Sequence, residues 1–324
     1  MSWEVDESAV GTTLAAFLRR NLPELTWSEA KGLCEAGRVA VEERREEVPA
    51  RRLALGERVA LYPEGRPAPG GGPAREDLLV HVDNDVVVVR KPAGLLTVPF
   101  ERSDRDTLLS RATVAVRRAD RRAQRRGSPS LRAVQRLDKE TSGLVVFART
   151  VAAERALQAQ LADHSLERSY LAIVHGEADA GTHETFLVAD RGDGLRGSWG
   201  KFRARAGGPR AGRPPESARR AVTHVEVVER LRGATLLRCR LETGRQHQIR
   251  IHLAEAGHPL VGEKVYVRDY RGPRIAAPRP LLHAAELGFD HPRSGARLRF
   301  TQDPPEDFAR ALAGLRSGAL RSKE

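Results

Sequence analysis

Apolar residues first recur at helical spacing in GTTLAAFLRRNL, residues 11–22, where Leu14, Phe17, Leu18 and Leu22 share one face. This predicts a helix capped by Thr12 or Thr13. Beyond Pro23, TWSEAKGLCEAG sets Ala30, Leu33 and Cys34 on one face, offers Thr26 or Ser28 as a cap and stops at Gly37, predicting a second helix. RVAVEERREEV and LALGERVALY then read as β structure, with Gly56 at a turn before the last strand. Residues 1–62 are thus expected to form a small α-plus-β domain.

The pattern breaks at PEGRPAPGGGPAR, residues 63–75, whose proline, glycine and scarcity of apolar side chains predict a linker. A second domain is expected over 76–316, followed by a tail at 317–324. It opens with two β-rich runs in DLLVHVDNDVVVVRKPAG around Asp83, Asn84 and Asp85, a predicted hairpin. GLVVFA at 143–148 reads as a buried strand, VAAERALQAQLADH as an amphipathic helix and RSYLAIVHG as another strand. The Gly-, Arg- and Pro-rich stretch 191–216 predicts a long surface loop. THVEVVERL and ATLLRCRLE predict a hairpin about Gly233, and RQHQIRIHLAEAG a helix closed by Gly257. LLHAAELGF and ARLRFT flank the turn HPRSG, and PPEDFARALAGL begins a helix with proline in its first turn. Elements alternate without a regular βαβ period.

Composition narrows the function classes. The 324 residues are 40% hydrophobic and 30% charged, and no apolar run approaches the roughly 20 residues of a membrane helix. The first residues carry no secretory leader pattern, so a cytoplasmic location without membrane association is expected. Cys34 and Cys239 are too few for a disulfide framework or a cysteine zinc site and read as buried, inert thiols. A formal charge of +12 and a pI near 10.5 favour a polyanionic partner, nucleic acid first, although an arginine-rich composition by itself raises the charge. Arginines at 117, 118, 121, 122, 125 and 126 would form a basic stripe on a helix, each pair offset by about 40°. An exposed basic loop is the alternative reading of that stripe.

Candidate chemistry gathers in AVQRLDKETSGLVVFART, residues 133–150, a polar turn feeding an apolar strand. Taken alone, Asp138 there is more often a turn or capping residue than a reactive one. Tyr170 in a β-rich run is by itself a packing residue, and Arg136 and Arg245 are open to plain salt bridges. His247 and His252 lie five positions apart, about 140° around a helix, and lack the spacing and glutamate of a zinc helix, so no metal is expected. GGGP at 70–73 lacks the lysine and hydroxyl residue of a phosphate loop.

The ordered stretches RKPAGLLTVP, QRLDKETSGLVVFA, RSYLAIVHG, LETGRQHQIRIHLAEAGHPLVGEKVY and LLHAAEL resemble those of the RluA-type RNA pseudouridine synthase family across about residues 78–302. Gln135 replaces a common histidine, and Arg168 stands where lysine is frequent. The resemblance implies an α+β fold with a mixed, mostly antiparallel sheet and flanking helices, and a cofactor-independent isomerase in which Asp138 is nucleophile or base, Arg250 its ionic partner and Tyr170 a platform stacked on uracil. Arg136, beside the turn that carries Asp138, and Arg245, at the start of the HQIR helix, are placed to hold RNA phosphates or help extrude the uridine, and His247, His252 and His283 read as hydrogen-bonding groups that organise the cleft floor. Residues 2–62, through WSEAKGLCEAGRVAV and LALGERVAL, resemble the ribosomal-protein-type (alpha-L) RNA-binding domain. That likeness directs Lys31, Arg38, Arg44 and Arg45 to RNA, where each is otherwise a solvated charge. Large-subunit ribosomal RNA is the expected substrate and transfer RNA the alternative; a monomer is assumed. The rivals are a non-catalytic RNA-binding ribosome-assembly factor and a metal-dependent nuclease.

Overall fold

The computed structural model of the chain describes residues 1–35, 38–42, 44–46, 49–62, 78–101, 104–119, 130–201 and 212–320. It divides into two units, Met1–Gly72 and Pro73–Glu324. The stretch 63–75 and Arg121, Arg122, Arg125 and Arg126 lie outside the described residues.

In the first unit the Thr13 hydroxyl accepts the Ala16 amide at 3.3 Å and starts helix α1 (Leu14–Asn21). Helix α2 (Trp27–Glu35) opens with a reciprocal cap: the Thr26 amide donates to Glu29 Oε2 at 2.8 Å, and the Glu29 amide to Thr26 Oγ1 at 3.2 Å. Strands β1 (Ser2–Glu4), β2 (Val39–Val41), β3 (Arg44–Arg45) and β4 (Arg58–Leu61) pair antiparallel in the order β1-β4-β2-β3. Leu14, Phe17, Leu18, Ala30 and Cys34 close the core with Val39 and Val59. The three residues of β1 are too few to show a period of two, and the sequence pattern does not predict that strand.

The second unit is built on one sheet. Its strands are β5 (Leu79–Val82), β6 (Val86–Lys91), β7 (Arg132–Ala133), β8 (Ser142–Ala148), β9 (Glu167–His175) and β10 (Gly181–Val188). They continue as β11 (Gly197–Ser198), β12 (Arg219–Leu231), β13 (Ala234–Leu241), β14 (Leu282–Asp290) and β15 (Arg297–Thr301). The order is β11-β10-β12-β13-β9-β14-β8-β6-β5, with β15 on β14 and β7 on β8. Among the described residues β14 with β8 is the one parallel pair, so the sheet is mixed and mostly antiparallel as expected.

The uninterrupted valines of β6 follow from burial on both faces. Val87 and Val89 join Val145 and Phe147 against helix α3 (Leu108–Ala119), while Val86 and Val88 join Leu144 and Val146 against helix α4 (Val151–Ala162). Helix α5 (Gln248–Glu255) buries Ile249 and Leu253 in the first of these cores, and α6 (Glu306–Ser317) buries Phe308 and Leu315 in a third cluster. At Gly143, φ is +121° and any Cβ would collide with the Ala284 backbone, so β8 and β14 approach here only because residue 143 has no side chain.

Helix α3 and strand β10 are additions to the expected elements. The alternation in β10 carries few apolar residues because six of its eight residues are exposed or only half-buried. The surface loop expected over 191–216 is corrected at its start. Arg191 is buried against Asp193, its amide reaches the Leu195 carbonyl, and β11 pairs with β10. Residues 202–211 of that stretch lie outside the described residues.

Candidate active site

The turn leading into β8 is held by the segment that follows β6. Thr97 Oγ1 donates to the Leu137 carbonyl at 2.9 Å and accepts the Leu137 amide at 3.0 Å. The Gly94 amide reaches the Lys139 carbonyl, and Lys91 Nζ donates to the carbonyls of Pro92, Lys139 and Thr141 at 3.1, 2.8 and 2.7 Å. Burial pushes Lys91 down to about 7 against the pull of Glu140 and Asp138. Three acceptors match the three protons of an ammonium group, so the geometry selects the charged form. From behind, Arg279 donates to the Glu140 carbonyl and to Ser142 Oγ while both oxygens of Asp307 on α6 hold it. Asp138 therefore sits on a backbone with little freedom.

Helix α5 presents Arg250 to that carboxylate. Two guanidinium nitrogens engage Glu263 at 2.8 Å each, leaving Nη1 at 3.5 Å from Asp138 Oδ2. Glu263 has a fully buried side chain, and its Oε1 also accepts the amides of Lys264, Val265 and Tyr266. Burial alone would raise the Glu263 carboxyl, but the Arg250 hydrogen bonds and charge hold it below the usual range. Glu263 thus aims Arg250, and the Tyr266 ring lies 5.3 Å from the guanidinium carbon.

His247, at the cap of α5, has φ +58°, a left-handed conformation uncommon outside glycine. Its Nδ1 meets the Tyr266 hydroxyl at 2.8 Å and its Nε2 lies 3.9 Å from Asp138 Oδ1. Burial lowers the imidazole pKa despite the nearby carboxylate, which favours the neutral ring. Tyr170 projects from β9 with 6% exposure, and burial raises its hydroxyl pKa. A cavity of about 710 Å³ is lined by Asp138, Tyr170 and Arg250 together with Arg136, Arg245 and His247.

Six motif-derived residues of this unit, Arg136, Asp138, Tyr170, Arg245, His247 and Arg250, thus share one cavity. Arg136 and Arg245 are exposed at it, Arg245 Nε donating to the Arg220 carbonyl at 3.1 Å. Lys31 and Arg38 are exposed on the first unit, and the side chains of Arg44 and Arg45 lie outside what is described. Of the three histidines expected to organise the cleft floor, His247 lines the cavity, whereas His252 and His283 are buried and do not line it. His252 lies between Thr185 and Thr223, and burial drives it down to about 3. His283 bridges Ser142 and the Gln302 carbonyl. Residue type could not separate these interior imidazoles from His247. Lys91, Thr97, Glu263, Tyr266 and Arg279 belong to the site's support but were not singled out. Lys91, Thr97, Glu263 and Tyr266 fall within the matched motifs, yet only burial reveals their part.

Among the described residues, Asp83, Asp85 and His291 converge closely enough to hold an ion. Arg293 already engages both oxygens of Asp85, and His291 Nδ1 accepts backbone amides, so those donors are spent internally. Cys34 and Cys239 are both buried, and burial pushes the Cys239 thiol up to about 12, which suits an inert group.

Residues 85–255 match the model of the RNA pseudouridylate synthase family. The chain is similar to ribosomal large subunit pseudouridine synthase D of Xanthomonas campestris pv. campestris, at 33% identity over 99% of this chain and 94% of that protein. It is also similar to the Pseudomonas aeruginosa protein of the same name, at 37% identity over 74% of this chain and 71% of that one. In fold, human RNA Pseudouridylate Synthase Domain Containing 4 superposes with a TM-score of 0.57 at 22% identity, covering 74% of this chain and 92% of that structure.

Proposed function

The chain belongs to the RNA pseudouridylate synthase family, an isomerase family, and we propose that it converts specific uridines of large-subunit ribosomal RNA to pseudouridine at the cavity around Asp138. The observation that carries this reading is the placement of Asp138 within 3.5 Å of Arg250 in the cavity that Tyr170 lines. The two relatives described above bear the name of large-subunit synthases, which supports that RNA over transfer RNA.

The reaction breaks the bond between uracil N1 and ribose C1′, turns the detached base and joins its C5 to C1′; the C5 proton leaves and N1 takes one up. No atoms are gained or lost. Asp138 supplies an ionised carboxylate, which either attacks C1′ or takes a ribose proton to permit elimination. Arg250, already charge-balanced by Glu263, faces one oxygen of that carboxylate without drawing it into a tight ion pair. Tyr170 holds the loose uracil by its face, which allows rotation because stacking selects no hydrogen-bonding edge. Arg136, Arg245 and His247 line the mouth and floor where the extruded nucleotide enters. In the first unit, Lys31 and Arg38 extend RNA contact, and residues 1–62 act as an RNA-binding domain.

Pseudouridine mapping of cellular RNA, with the wild-type protein against Asp138→Asn as the sole copy, tests this. A large-subunit uridine should lose modification, with single-turnover rates down roughly 10²–10⁴-fold. Unchanged modification across all RNA would sink the assignment, and loss only in transfer RNA would move the substrate.

A further inference from the structure

Four arginines are buried in the described structure: Arg168, Arg191, Arg250 and Arg279. Three of them meet carboxylates, Arg191 at Asp193, Arg250 at Glu263 and Arg279 at Asp307. Arg168 does not. At 9% exposure it has one hydrogen bond, Nη2 to the Glu242 carbonyl at 3.1 Å, and its buried Nε has no partner. Among the described residues no carboxylate lies within ion-pair distance of it. Desolvation drives its pKa below the usual arginine value. A guanidinium carries five N–H donors, and burying one without a counter-charge is costly unless something arrives to meet it.

The place is specific. Arg168 lies two residues before Tyr170 on β9, so both side chains leave the same sheet face, and both line the cavity that holds Asp138. At Gly244 a Cβ would fall on the Arg168 guanidinium, so a side chain there would push this head group from its present position. Neither chain-internal charge nor core packing accounts for the arrangement.

We propose that Arg168 is the anion-binding residue of the cavity, receiving a phosphodiester oxygen that flanks the extruded uridine. Resting on the function proposed above, this assigns the buried cation to the RNA backbone and leaves uracil recognition to other groups. The neutral carbonyls of uracil are poorer partners, because they leave the buried charge unbalanced. With phosphate bound, Tyr170 and Arg168 fix the nucleotide from base and backbone sides of the same strand.

Binding of a large-subunit ribosomal RNA transcript is measured from about 50 to 200 mM salt with Asp138→Asn protein, with and without Arg168→Met. Removing one phosphate contact should flatten the log–log salt dependence by about 0.7–0.9 and weaken binding about tenfold at low salt, with Arg168→Lys retaining most of the slope. Because the guanidinium is unpaired in the free protein, Arg168→Met should melt at the same temperature or higher. A stem-loop containing the mapped uridine, made with an uncharged methylphosphonate on its 5′ or its 3′ side, completes the cycle. One of the two should weaken the Asp138→Asn protein but not the Arg168→Met double variant. An unchanged salt slope, or a lower melting temperature with no effect of either methylphosphonate beyond that in the double variant, overturns the assignment. Should the wild-type protein form no pseudouridine in any RNA while the slope still falls with Arg168→Met, the isomerase reading fails and a phosphate contact at Arg168 stands.

Discussion

At the scale of single residues, Arg250 is divided between a tight partner and a loose one, and the two should separate experimentally. Its contacts with Glu263 are both 2.8 Å and almost fully buried, whereas Asp138 lies at 3.5 Å with part of its carboxylate exposed. Glu263→Gln removes the buried counter-charge and should cost about 3–5 kcal/mol in urea unfolding. Asp138→Ala should cost under about 1 kcal/mol by the same measurement, since a long, partly solvated pair contributes little. Equal losses would show that Asp138 is a structural anion. Asp138, Tyr170, Arg250, Arg136, Arg245 and His247 were all legible from motif context. Glu263 lay unnoticed within GEKVY, because its importance comes from complete burial and from three backbone amides gathered on one oxygen.

Among elements, the turn between β7 and β8 is the part whose rigidity matters most. Lys91 at the end of β6, Gly94 and Thr97 satisfy its carbonyls and one amide from one side, and Arg279 does so from the other. Thr97→Val leaves the Leu137 amide and carbonyl without this hydroxyl and should destabilise the protein by about 1–3 kcal/mol. Because the turn carries Asp138, single-turnover pseudouridine formation should slow roughly tenfold while RNA affinity stays within about twofold. A parallel drop in affinity would instead indicate that the whole cavity collapses. Secondary structure here was readable from the apolar run of β8 and the helical spacing of α4. The clamp was not, since RKPAGLLTVP reads locally as a strand end and a loop, and its contacts cross about 40 to 50 residues of chain.

On the scale of the whole molecule, interior histidines set the response to acid. Burial lowers the pKa values of the interior His175, His252 and His283 and of the half-buried His183, His252 to about 3. Between those values and the unfolded value near 6.5 the unfolded chain binds more protons than the folded one, so stability rises with pH and is lost as pH falls below about 6.5. For His252 alone the loss approaches about 1.4 kcal/mol per pH unit. His252→Gln should flatten the fall of melting temperature between pH 6.5 and 4, and an identical slope would refute this origin. The other global property is charge: Lys31→Ala with Arg38→Ala should shallow the salt dependence of RNA binding while leaving the single-turnover rate at saturating RNA unchanged. A lower saturated rate would place those side chains in the chemistry and not in docking.

By itself the amino-acid sequence determined the elements with strong periodicity, the mixed sheet class, the basic character and the candidate trio Asp138, Tyr170 and Arg250 that shares one cavity, because each is written in local spacing or in short ordered motifs. Tertiary structure alone decided which polar groups are solvated and which are entombed. It sent His252 and His283 into the interior, tied Arg191 down where a free loop was expected, drew Lys91 beneath the turn and left Arg168 buried without a counter-ion. The physical reason is that desolvation and hydrogen-bond satisfaction are properties of a neighbourhood assembled from distant strands. No window along the chain contains that neighbourhood, however clearly it spells the strands themselves.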